Sequence, residues 1–170
     1  RFKLFPLLNI QYSPETEEKF ETHSLLNQDL SIIVDDKTTA YLKVNADHSV
    51  VNIKLETQDS AVVFYDSVFT NSYVNVSSKT LEHNINSVRY NDRLLTACAT
   101  FIDSQLKDTL ITADLCSKED GINFIRMRGT GVDLNIKNVL YDGFDADFSK
   151  IKFGTVNVSG AGNDCVDVSS

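Results

Sequence analysis

The chain has little of what interrupts extended structure: two prolines and seven glycines in 170 residues, with no tryptophan and one methionine. That composition excludes collagen-like and Pro/Gly-rich low-complexity chains. Long apolar runs are missing too. No segment approaches the roughly 18 apolar residues of a membrane span, and the opening RFKLFPLLNI is short, broken by Pro6, and does not read as a signal peptide. Positive charge is scarce, with 16 Lys and Arg against 24 Asp and Glu, for a net charge of −8. The basic residues are scattered along the sequence, so a nucleic-acid surface, which needs them clustered, is not expected. Acidity fits solubility, or a site that holds cations.

Cysteine is sparse and unpatterned. Cys98, Cys116 and Cys165 form no CxxC pair and no metal-ligand spacing with His23, His48 or His83. Two readings stay open: a Cys98–Cys116 disulfide made in an oxidising compartment, or buried thiols stacked in an apolar interior. No GxSxG elbow exists and every histidine precedes residue 84, which disfavours a serine hydrolase. Gly129, Gly131, Gly143, Gly154, Gly160 and Gly162 lack a following helix start, so they read as turn glycines rather than a phosphate loop.

What is abundant is strand-forming residues. SIIV, YLKV, VVNIKL, SAVVFY, YVNV, VDLNI and GTVNV are short runs with apolar alternation. One helix signal stands against them. In SPETEEKFE, Ser13 can cap, Pro14 suits the first helical position, and Glu15, Glu17 and Glu18 favour the positive end, so a short helix is expected over 14–22. Residues 1–30 then read as an N-terminal cap or connecting segment, and 31–170 as the main domain.

Internal repetition organises that domain. DGINFI at Asp120, DGFDAD at Asp142 and DCVDVS at Asp164 recur 22 residues apart, and Leu134 and Ile136 fall on Val156 and Val158 at the same step. A fixed step of that length with several strands per unit is what a coiled sheet needs, each turn stacking on the last at about 4.8 Å. The expected fold is all-β: a right-handed parallel β-helix of about 22 residues per turn. Phe144, Ala146 and Phe148, like Val166 and Val168, should point inward. An antiparallel sandwich also gives short strands, but it predicts no fixed step. Arg at the start and a repeat unit at the finish read as cut ends, leaving Val166 and Val168 open to end-to-end self-association.

The stretch DGFDADFSKIKFGTVNVSGAGNDCVDVSS resembles the repeat of the pectin-lyase-like superfamily, and within it the polygalacturonases. Their NTDGFD segment, followed one turn later by DDCVAI, corresponds here to YDGFD and NDCVD. The resemblance implies that Asp142 and Asp164 take catalytic carboxylate positions. It also puts Asn163 where the family has its general acid, and an amide has no proton to give. The GHG and RIK motifs of the family would fall beyond Ser170.

Stacking places Asp120, Asp142 and Asp164 in one acidic column. Asn123, Asp145 and Asp167 form a second, with Asp147 beside them. Two carboxylates about 5 Å apart at an effective dielectric of about 20 repel by around 3 kcal/mol, which requires relief. The relief is a cation, with calcium held by Asp142, Asp145, Asp147, Asp164 and Asp167; or a raised carboxyl pKa; or hydrogen bonds from turn amides. Arg126 and Arg128, one turn earlier, join Asp145 and Asp167 as candidate substrate contacts through bidentate hydrogen bonds to an acidic sugar, or else simply pair with a nearby Asp. Lys150 and Lys152 alternate outward as on a wetted face.

The functional expectation is an exported or cell-surface β-helix that binds a polysaccharide or protein partner or acts as a structural element. The competing expectation is a polysaccharide hydrolase or lyase completed by residues past 170. A third is a surface spacer in which the solenoid serves only as a rigid rod.

Overall fold

The computed structural model describes residues 17–79 and 96–169. Each turn of the chain lays strands on those of the turn before, and every pairing is parallel. The first rung is β1 (Glu17–Leu26) with β2 (Asp29–Val34), and the second is β3 (Thr38–Asp47) with β4 (Val50–Leu55). The third comprises β5 (Ala61–Tyr65), β6 (Val68–Thr70) and β7 (Tyr73–Ser78). Then follow β8 (Ala97–Ile102) with β9 (Gln105–Cys116), β10 (Asp120–Ile125) with β11 (Arg128–Val139), and β12 (Asp142–Asp147) with β13 (Lys150–Ala161). β14 (Val166–Ser169) stacks on β12. The protein is a parallel β-solenoid of about six turns and about 22 residues per turn.

The register repeats what the sequence repeats. Asp120 pairs with Asp142 and Phe144 with Val166, each a step of 22. One step is much longer: Val62 pairs with Ala99, 37 residues on. The extra length lies between β7 and β8, and before it the step itself varies, from 21 for Glu17 with Thr38 to 23 for Asn45 with Val68.

From the third rung on, bends turn each rung into three faces, whereas β1 and β3 run unbroken past the first bend position. The first bend carries Asp66, Asp103, Arg126 and Phe148 in successive rungs, with φ of 44°, 52°, 50° and 52°. The second carries Asn27, His48, Asn71, Asp108 and Gly131, all left-handed. Leu115, Asn138 and Gly160 make the third. Asn, Asp and Gly tolerate this backbone best, which is why they recur there. Serines that follow the bends stitch the rungs together. Ser67 Oγ accepts the Val44 amide and donates to the Tyr65 carbonyl, Ser67 N in turn donates to Ser104 Oγ, and Met127 N donates to Ser149 Oγ. Ser49 and Ser72 do the same at the second bend. Each hydroxyl satisfies a buried amide and a carbonyl where the sheet turns and the ladder would leave both orphaned.

Inside the coil runs a chain of phenylalanines. Phe64 stacks on Phe101 at 4.7 Å between ring centres, Phe101 meets Phe124 edge-on at 5.5 Å, and Phe124 meets Phe144 edge-on at 5.0 Å. Register would put Ala146 on Phe124 and Phe144 on Ile122. The aromatic thus moves one column over as the alanine takes its place, and interior volume is conserved. Phe148, expected inside, is instead 71% exposed at the first bend.

Cys98 and Cys116 are bonded, with Cα atoms 6.0 Å apart. Both are buried, so the bond ties the start of β8 to the end of β9 across the third bend. Cys165 is an exposed free thiol.

The expected helix over 14–22 is corrected where it is described: residues 17–22 belong to β1, and 14–16 lie outside the described residues. A nine-residue helix is marginal alone, whereas β1 gains ten consecutive ladder positions against β3. Its Phe20 also stacks on Tyr41 with ring centres 4.7 Å apart. Glu17 and Glu18, read as favouring a helix start, instead lie in a strand whose positions are mostly exposed. Among the described residues no helix is long and apolar enough to cross a membrane.

Candidate functional site

The acidic columns form on the first face as the repeat requires. Asp120 pairs with Asp142, and Asn123, Asp145 and Asp167 fall in line. Asp147 lies two residues further along the same strand, stacked between Ile125 and Ser169. Repulsion between these carboxylates is relieved in two ways. Asp142 Oδ1 accepts the Asn163 side-chain amide at 2.8 Å and the Asp164 backbone amide at 2.9 Å, so it organises the following turn. Asp147 is buried and accepts the Ser169 hydroxyl. Asp120 takes the other route. Burial, reinforced by Asp145, Glu119, Asp142 and Asp167, pushes its carboxyl up to about 8, so it is protonated at neutral pH. Asn123, 1% exposed, has a side-chain oxygen with no hydrogen-bond partner. Among the described residues, no group of three or more His, Cys, Asp or Glu is arranged to hold a metal ion.

The two arginines separate. Arg126 sits at the first bend, where Nε and Nη2 donate to the two carboxylate oxygens of Asp103 at 2.6 and 2.9 Å. That fork holds the Asp103 carboxyl below its ordinary range and occupies the donors a sugar acid would use. Arg128 lies round the corner on the second face. Asp145 and Asp167 therefore share a face with Asp142 and Asp164, and neither arginine joins them.

Round that corner the fold assembles something the linear sequence does not display. The second face is three residues wide, so its first and third positions point outward and its middle one inward. Register stacks Val68, Gln105, Arg128 and Lys150 in one outward row, and Thr70, Lys107, Thr130 and Lys152 in the other. The rows are the walls of a trough of about 690 Å³ whose floor is the backbone of Phe69, Leu106, Gly129 and Ile151. Among the described residues no carboxylate pairs with Lys107, Arg128, Lys150 or Lys152. A smaller hollow of about 550 Å³ adjoins it at the first bend, lined by the Arg126–Asp103 pair, Arg128, Lys150 and the exposed Phe148. The signal was in the sequence: Arg128 and Lys150, and Thr130 and Lys152, are each one 22-residue step apart.

No protein-family model matches this sequence, and no curated protein matches it. What the chain does must come from its own surface.

Proposed function

We propose that this chain is an exported β-solenoid, of the kind the pectin-lyase-like enzymes use, that binds polysaccharide along an outward sheet face. The observation that carries the reading is the open trough crossing four rungs with unpaired polar and charged walls. An elongated, rigid, repeating groove suits an elongated, repeating ligand. Export is supported by the buried Cys98–Cys116 bond, since disulfides persist in oxidising compartments. Binding without cleavage is supported by Asn163, an amide in the acid position, and by Asp142, whose Oδ1 is engaged by two turn donors. Calorimetric titration with a panel of neutral and acidic oligosaccharides tests it. Binding of at least one with no new chain ends released supports the reading, and failure of every glycan to bind removes it.

Cleavage by Asp142 and Asp164 is the second reading. It is favoured by Asp120, which offers a neutral carboxylic acid beside Asp142 at physiological pH. Its assay is the appearance of reducing ends or unsaturated products, lost in Asp120→Asn and Asp164→Asn.

A further inference from the structure

We propose that the trough on the second face binds a linear polyanionic polysaccharide, its sulfate or carboxylate groups seated between Arg128, Lys150, Lys107 and Lys152 and a sugar ring stacked on Phe148. This rests on the polysaccharide-binding reading and gives it a site and a charge class. The site lies round the bend from Asp142 and Asp164 and shares no residue with the acidic columns.

Three independent features converge there. The first is charge placed against the trend of the molecule. The chain carries net −8, yet four cations line one trough and have no acidic partner among the described residues. Neighbouring rungs hold Arg128 and Lys150 about 4.8 Å apart along one wall, where like charges repel and contribute nothing to folding. An anion laid between the walls turns that repulsion into attraction, and arginine's planar fork suits sulfate and carboxylate alike.

The second feature is Phe148. It occupies a bend position that Asp66 and Asp103 fill in other rungs, with φ of 52°, a backbone that bulky side chains resist. Its ring is 71% exposed beside Arg128 and Lys150. A strained, solvent-facing aromatic has no stability rationale, while a flat apolar plate next to cations matches the apolar face and acidic edge of a sugar acid.

The third is width. Two outward rows separated by one inward residue stand about 6.5 Å apart, a spacing at which one extended chain meets both rows at once. The net charge of −8 opposes non-specific polyanion binding, so a polyanion is steered to a strip where cations cluster.

Calorimetry at low salt on the intact chain tests this with four probes: a heparin oligosaccharide, a hyaluronan oligosaccharide, a neutral dextran oligosaccharide and a single-stranded DNA 12-mer. One or both acidic glycans should bind, weaken steeply as salt rises, and lose at least tenfold in affinity in the Arg128→Gln/Lys150→Gln variant. Heparin and hyaluronan separate sulfate from carboxylate recognition. Phe148→Asn should weaken glycan binding while raising the melting temperature, because asparagine accepts the left-handed backbone; that combination is not produced by misfolding. Binding confined to dextran, or unaffected by both variants but abolished by Asp145→Asn/Asp167→Asn, overturns the trough and leaves polysaccharide binding standing. Tighter binding of the DNA overturns the assignment to glycan. Silence from all four probes overturns both.

Discussion

Asp120 is the side chain whose environment makes the sharpest demand. In the unfolded chain it loses its proton near the ordinary carboxyl range, whereas in the fold it keeps it up to about 8. Between those limits the unfolded state binds fewer protons, so stability falls as pH climbs through that window and levels off above it. Asp120→Asn should remove the slope. The variant is expected to match wild type near pH 4 and to melt at a higher temperature than wild type at pH 8, and parallel melting curves across pH would show that Asp120 is not the group responsible. The sequence made the acidic column legible because Asp120 and Asp142 sit one repeat apart. It did not reveal which member would be buried, since that depends on the surroundings of the first face. Glycine is a similar case. Of the residues read as turn glycines, Gly131 and Gly160 do take a left-handed backbone. Gly143, however, lies inside β12, where a Cβ would come within 2.8 Å of the Cys165 carbonyl. Spacing along the chain announces a bend, but a close approach between rungs is visible only once they are stacked.

Strands and the bonds that join them carry most of the stability. Phe124 touches rings in the rungs on both sides, so Phe124→Ala should cost about 3–5 kcal/mol by leaving a cavity that the stack cannot close. The Cys98–Cys116 bond closes a loop with a sequence separation of 18, and Cys98→Ser should cost about 3 kcal/mol. Urea midpoints of the two variants measure both effects, and a shift in the cysteine variant that is already present in reduced wild type would confirm the bond as its source. Alternation and the 22-residue step were enough to place β10 to β14 from sequence. β1 was misread because Glu17 and Glu18, which favour a helix start in isolation, also suit a solvent-exposed strand, and only the ladder against β3 decides between them. Arg126, read either as a sugar contact or as the partner of a nearby Asp, pairs with Asp103 at the bend before β11.

Taken over the molecule, composition and fold point in different directions about charge. Lys107, Arg128, Lys150 and Lys152 are scattered in the sequence, and that scatter with a net charge of −8 argued against a nucleic-acid surface. Coiling places residues one rung apart side by side, so widely spaced cations become a strip. A solenoid converts periodicity into area, which is why the trough was recoverable only from the repeat and not from local clustering.

The pairing of Val62 with Ala99 across 37 residues has a consequence for how the stack holds its order. Fifteen more residues than the usual step leave the alignment of strands on either side intact, so contact between rungs, and not the covalent thread, fixes their sequence in space. The peptide link between the third and fourth rungs is then dispensable once they have met. Two separately made polypeptides, one ending after β7 and the other beginning before β8, should reassemble into a 1:1 complex with the wild-type circular dichroism spectrum. Should they remain apart at micromolar concentration, the thread itself would be what keeps the stack in order.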